Sequence, residues 1–156
     1  MPDMLVKLYE LPELQPRLER LREQRLFVRV AMPYEKPKVA AWVRDGFGEG
    51  WAAECEVAFS NRPISCFVAT ENGRLMGFAC YDSTCRDYFG PVGVGADARG
   101  RGIGNALLLS CLHTMASLGY AYAIIGGVGD TEFYRKAVGA IEIEGSSPGI
   151  YRDRLR

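Results

Sequence analysis

The chain has 156 residues, 48% of them apolar and 24% charged, which matches an ordinary globular domain long enough to bury one core. Nineteen basic side chains balance nineteen acidic ones, so no whole-molecule field draws the chain onto nucleic acid or an anionic membrane surface. The five cysteines, at 55, 66, 80, 85 and 111, form no CxxC pair and sit mostly among apolar neighbours, which reads as free thiols in a reducing, cytoplasmic compartment with no metal. The start, MPDMLVKLYELPEL, lacks the basic-then-apolar order of a secretory signal, and no segment reaches membrane-spanning length.

No internal repeat, low-complexity tract or Ser/Gly linker divides the chain. Leu11, Leu14, Leu18 and Leu21 recur at helical spacing among charged residues, so residues 1–25 are expected to form an accessory helix packed on a main domain of residues 26–156. Leu26 to Ala31 has strand character, and Val39, Trp42 and Val43 share one face of a helix from Glu35 to Phe47. Gly46, Gly48 and Gly50 break that helix before a second one from Trp51 to Phe59.

A hairpin follows, because SCFVAT and RLMGFACY flank Glu71, Asn72 and Gly73, and Asn-Gly supplies the positive φ angles of a tight turn. Tyr88 to Val94 is extended, a glycine-rich loop comes next, and Ala106 to Leu118 is an apolar helix stopped by Gly119. Tyr120 to Ile125 then makes a strand–loop–helix–strand unit of the right length for parallel pairing. Asp130 or Thr131 caps a short helix ending at Gly139, AIEIE reads as a last strong strand, and IYRDRL closes the chain. The fold class expected is α+β, a mixed, mostly antiparallel sheet flanked by helices.

The loop between the extended segment and the apolar helix carries the chemistry. Arg99, Gly102 and Gly104 stand in an RxxGxG arrangement ahead of the helix; glycines admit close backbone approach, and unpaired amides at a helix N-terminus form an anion site suited to a pyrophosphate. Spacing alone leaves a plain structural turn and a dinucleotide loop open. A Rossmann fingerprint would bring an acidic residue about twenty positions on, where Tyr120 to Tyr122 stand, and a P-loop would end in Gly-Lys-Ser/Thr, where Gly104 precedes Asn105 and Ala106.

On these residues the sequence resembles the GNAT family of acyl-CoA-dependent N-acyltransferases, whose motif is a strand, Arg/Gln-x-x-Gly-x-Gly/Ala and an apolar helix. The likeness runs more loosely from Leu26 to the strand after Gly139. The resemblance implies that Arg99, Gly100, Arg101, Gly102, Ile103, Gly104 and Asn105 hold the coenzyme pyrophosphate, and that Val92, Gly93 and Val94 pair with the pantetheine arm as an added strand would. It implies acetyl-CoA as cosubstrate, an amine as acceptor, and it leaves a homodimer open. Phe133-Tyr134, with Gly139 and Ala140 beyond, look like the family's tyrosine helix, which would put Tyr134 near the thioester sulfur; Ala140 stands where phenylalanine is usual, and Asp130 near a frequent asparagine.

Amine attack on a thioester needs an oxyanion stabiliser and a proton for the departing thiolate. Backbone amides around Val94 are the expected oxyanion donors, and Tyr134 is either a core aromatic or the acid. No glutamate or histidine on the Tyr88–Val94 strand offers a base; Asp82, Asp87 and Glu71 are the nearby carboxylates, and His113 is expected at the surface. Cys80, Cys85 and Cys111 lack a histidine partner, which favours direct transfer over an acyl-enzyme. The loops Gly46–Trp51 and Ser83–Tyr88, aromatic with few charges, point to a less charged acceptor. The competing reading is a non-catalytic acyl-CoA-binding or interaction module on the same fold.

Overall fold

A computed structural model describes residues 1–156. One sheet of seven strands organises the chain: β1 (Met4–Lys7), β2 (Leu26–Val30), β3 (Cys66–Glu71), β4 (Arg74–Tyr81), β5 (Tyr88–Val94), β6 (Tyr122–Ile125) and β7 (Ile141–Glu142). Their spatial order is β2-β3-β4-β5-β6-β1-β7. Every pairing is antiparallel except that of β5 with β6, so the fold is the expected mixed, mostly antiparallel sheet. Asn72 and Gly73 turn the β3–β4 hairpin with φ of 51° and 74°, the pair of positive angles that a two-residue turn requires.

Five helices cover the two faces: α1 (Gln15–Glu23), α2 (Lys36–Phe47), α3 (Glu49–Ser60), α4 (Ile103–Ser117) and α5 (Thr131–Val138). Successive strand residues point to opposite sides, so Cys66, Val68, Phe78 and Cys80 meet Val39, Val43 and Cys55 of α2 and α3. On the other face Ala69, Ala79 and Phe89 meet Leu107, Leu108, Cys111 and Met115 of α4 and Leu21 of α1. Helix α4 is apolar nearly all round because it is buried nearly all round. It lies close on β4: a Cβ at Gly77 would stand 3.1 Å from Ile103 and from Leu107.

The N-terminal stretch supplies more than the helix its leucines announce. Strand β1 enters the sheet between β6 and β7 and buries Met4 and Val6 completely. Four residues with two inward side chains are too few for alternation to register in the sequence. The AIEIE segment is correspondingly weaker than its pattern suggests, with two residues paired to β1 at the sheet edge and Ile141 half exposed. His113 is half-buried rather than free on the surface, its Nε2 2.8 Å from the Pro12 carbonyl oxygen. No helix is long and apolar enough to cross a membrane.

Truncating Met4 tests whether β1 belongs to the core. Met4→Ala should cost about 2–5 kcal/mol, the range for emptying a filled interior site, read as a lowered urea midpoint at unchanged slope. A loss below about 1 kcal/mol would mean that β1 contributes little to the packed sheet.

Candidate active site

Strand β5 pairs with β6 only at Tyr88 and Phe89, opposite Ile124 and Ile125. Beyond that point the two strands part, while β5 stays paired with β4 through Val92, Gly93 and Val94. The Gly93 carbonyl oxygen lies against Gly77, and the Gly95 N–H donates to the Met76 carbonyl at 2.9 Å. Alternation along the strand then turns the N–H and C=O groups of Val92 and Val94 away from β4, into the opening. An extended ligand entering there finds main-chain donors and acceptors unpaired.

The opening leads into a cleft of about 500 Å³, bordered by Val92, Gly93, Val94, Arg99, Gly104 and Tyr134, with Phe47, Leu108, Asp130 and Phe133 completing it. Six expected site residues therefore meet in one place. Phe47 joins them from the end of α2; its ring occupies the space a Gly93 side chain would need, since a Cβ there would lie 2.5 Å from it. The one hint in the sequence is an aromatic at the helix end just before Gly48.

At the cleft's edge the chain turns from β5 into α4. Gly100 and Gly102 have φ of 79° and 86°, a left-handed backbone that side-chain-bearing residues seldom adopt. Gly104 is helical, and a Cβ there would make only ordinary contact with Val94 at 3.6 Å; its lack of a side chain widens the cleft rather than permitting the turn. The first main-chain bond of the helix is Ala106 N–H to the Gly102 carbonyl, and the amides of Gly100 to Asn105 donate to no acceptor in the protein. Such a row of unpaired donors at a helix start favours an anion through both hydrogen bonding and the helix dipole.

The side chains of this loop divide. Arg99 borders the cleft. Arg101 turns outward, its Nη2 2.7 Å from Glu71 Oε2 and its Nε donating to Gln24 Oε1 at 3.1 Å, and the guanidinium holds the Glu71 carboxyl below its usual range. Ile103 is core. Asn105 is half-buried, its Oδ1 without a partner.

Tyr134 packs edge-on against Phe133 and Phe89, with ring centroids 5.0 and 6.4 Å apart. Its hydroxyl makes no hydrogen bond within the protein, and burial, aided by the Asp130 carboxylate, pushes its pKa up to about 12. Asp130 caps α5 by accepting from the Phe133 N–H at 3.0 Å. The other candidate groups lie elsewhere. Asp82 accepts from the Tyr120 hydroxyl and the Asp87 N–H, and Asp87, pushed up to about 6 by burial and then by Asp82, borders neither this cleft nor the next. Cys55, Cys66 and Cys80 bring their sulfurs within 4.8 Å of one another in the core, and Cys111 is fully buried there.

A second, wider cleft of about 960 Å³ adjoins the first along β5. It takes in Phe89, Gly90 and Pro91, the residues just before Val92, and is closed by Trp51 and Glu54 of α3, Tyr151 and the C-terminal arginines. Phe47 stacks on Trp51 at 5.2 Å and so stands between the two spaces.

The model of the acetyltransferase (GNAT) family matches residues 19–140. Among solved structures the chain is similar to the glucosamine N-acetyltransferase region of a fungal multi-domain GH3 β-N-acetylglucosaminidase, with a TM-score of 0.74 and 17% identity over 91% of this chain and 19% of that one. It is similar to a GCN5-related N-acetyltransferase from Sphaerobacter thermophilus, with a TM-score of 0.70 and 20% identity over 91% and 48%. A GNAT family acetyltransferase from Brucella melitensis, solved with acetyl-CoA, gives 0.54 and 18% over 71% and 80%. The chain thus spans 19% and 48% of the first two proteins, and at these identities the likeness is one of fold. No curated protein matches the chain. With the family model covering most of its length, the chain belongs to the acetyltransferase (GNAT) family.

Proposed function

We propose that this chain is an acetyl-CoA-dependent N-acetyltransferase that passes the acetyl group directly to a primary amine. The observation that carries the reading is the row of unpaired amides from Gly100 to Asn105 at the start of α4, beside a strand whose outer main-chain groups are also free. The Brucella melitensis relative was solved with acetyl-CoA, and the residues here fit that molecule in kind. The amides of 100–105 and Arg99 would hold its pyrophosphate, and Val92 and Val94 would pair with its amide-bearing arm.

When bound, acetyl-CoA supplies a thioester carbon open to attack by a neutral amine, with a thiol as the leaving group. The outward N–H of Val94 is then a donor for charge developing on the carbonyl oxygen. Tyr134 Oη is protonated at neutral pH, because burial raises its pKa to about 12, and it would give that proton to the departing sulfur, the phenolate then taking the proton that the attacking amine loses. The same burial raises the proton affinity of a thiolate released beside it. The fully buried cysteines at 55, 66, 80 and 111 have no access to either cleft, which supports direct transfer.

Two substitutions test these roles. Gly102→Val combines a branched side chain with a positive φ and should abolish acetyl-CoA binding in calorimetry while the domain still melts cooperatively; undiminished affinity in the folded variant would make the loop a mere turn. Tyr134→Phe should lower turnover roughly 10²- to 10⁴-fold with little change in acetyl-CoA affinity. Because its pKa lies above the ordinary tyrosine value, the parent should show no alkaline loss attributable to this group below about pH 10. Near-parental turnover in Tyr134→Phe would return that residue to the core. Acceptor-dependent thiol release across an amine panel separates the enzyme from a non-catalytic acyl-CoA-binding module, which would bind and release nothing.

A further inference from the structure

The wider cleft departs from the balanced charge of the chain. Arg152, Arg154 and Arg156 border it, and Glu54 is its one bordering carboxylate. None of the three arginines joins any of the protein's ion pairs, so although Asp153 stands among them in the chain their guanidinium groups are free to meet a ligand. Glu54, by contrast, is held in place: Thr84 Oγ1 donates to its Oε1 at 2.6 Å, and Ser83 Oγ donates to its main-chain carbonyl. Its Oε2 has no partner in the protein. Tyr151 borders the same cleft, and burial, followed by the Glu54 carboxylate, raises its pKa.

A cleft that fixes one carboxylate and presents several free guanidinium groups recognises a ligand with charges of both signs. Resting on the acetyltransferase reading above, we propose that the acceptor is a small primary amine that also carries a carboxylate or phosphate, with Glu54 Oε2 receiving the amine and Arg152, Arg154 and Arg156 the anion. This reverses the expectation of a less charged acceptor. The loops that prompted it do supply Gly50, Trp51 and Thr84 to the cleft, but the C-terminal segment supplies the charge. The position suits transfer, since Phe89 borders this cleft and touches Tyr134 of the other.

The test is calorimetry on the full chain with O-phosphoethanolamine, β-alanine and ethanolamine, each with and without saturating coenzyme A. The anionic amines should bind at least about tenfold tighter than ethanolamine, and their ranking tells phosphate from carboxylate. Replacing all three arginines by alanine should remove the preference and leave acetyl-CoA affinity unchanged. Glu54→Gln should weaken O-phosphoethanolamine more than inorganic phosphate. Equal binding of ethanolamine, or no binding of any of the three, overturns the proposal, as does loss of acetyl-CoA affinity in the arginine variant, which would assign those side chains to the coenzyme. Failure of acetyl-CoA to bind the parent sinks the acetyltransferase reading instead, and the anion preference is still read in the coenzyme-free arm.

Discussion

Where β5 leaves β6, the interior of a sheet whose other open edges are β2 and β7 stops satisfying its own hydrogen bonds. Pairing with β6 ends at Phe89, and past the irregularity at Gly90 and Pro91 the residues Val92 to Val94 keep only their β4 partners. A buried main-chain group without a partner is costly, so the gap is stable only if water or a ligand completes it. Everything assigned to function is arranged around this gap: the narrower cleft opens on Val92 to Val94, the wider one on Phe89 to Pro91, and Tyr134 touches Phe89 at the junction.

The second constraint is how α4 is brought to the gap. Its N-terminus can aim free amides at the cleft only if the chain turns sharply after β5, which Gly100 and Gly102 allow through positive φ. The helix must also lie close on the sheet, which the missing side chain of Gly77 allows. Burial of Ile103, Leu107 and Leu108 then anchors the helix, so the proposed anion site is built on a rigid element rather than on a loose loop. Arg101 braces the turn from outside through Glu71 and Gln24.

These features differ in how far they can be read in the sequence. The RxxGxG loop, the Asn-Gly hairpin and the apolar α4 are local, and each is specified by a few residues with a clear conformational demand. Strand β1 is not, because MLVK is too short for a pattern and owes its place to β6 and β7, far away in the chain. Phe47 acquires its role only by lying on Gly93. Arg152, Arg154 and Arg156 read as a solvated tail until the fold lays that tail beside Glu54. Tyr134 is legible through a family resemblance, whereas its unpartnered hydroxyl and its pKa, raised by burial and then by Asp130, depend on the fold.

In the proposed function the amides leading into α4 receive the phosphates of the coenzyme. Amide chemical shifts of the ¹⁵N-labelled protein, followed through an acetyl-CoA titration, test it residue by residue. The largest shifts are expected at the amides of residues 100–105, with a second set at Val92 and Val94. Saturable binding that leaves those amides unmoved while shifting the C-terminal cleft would contradict it.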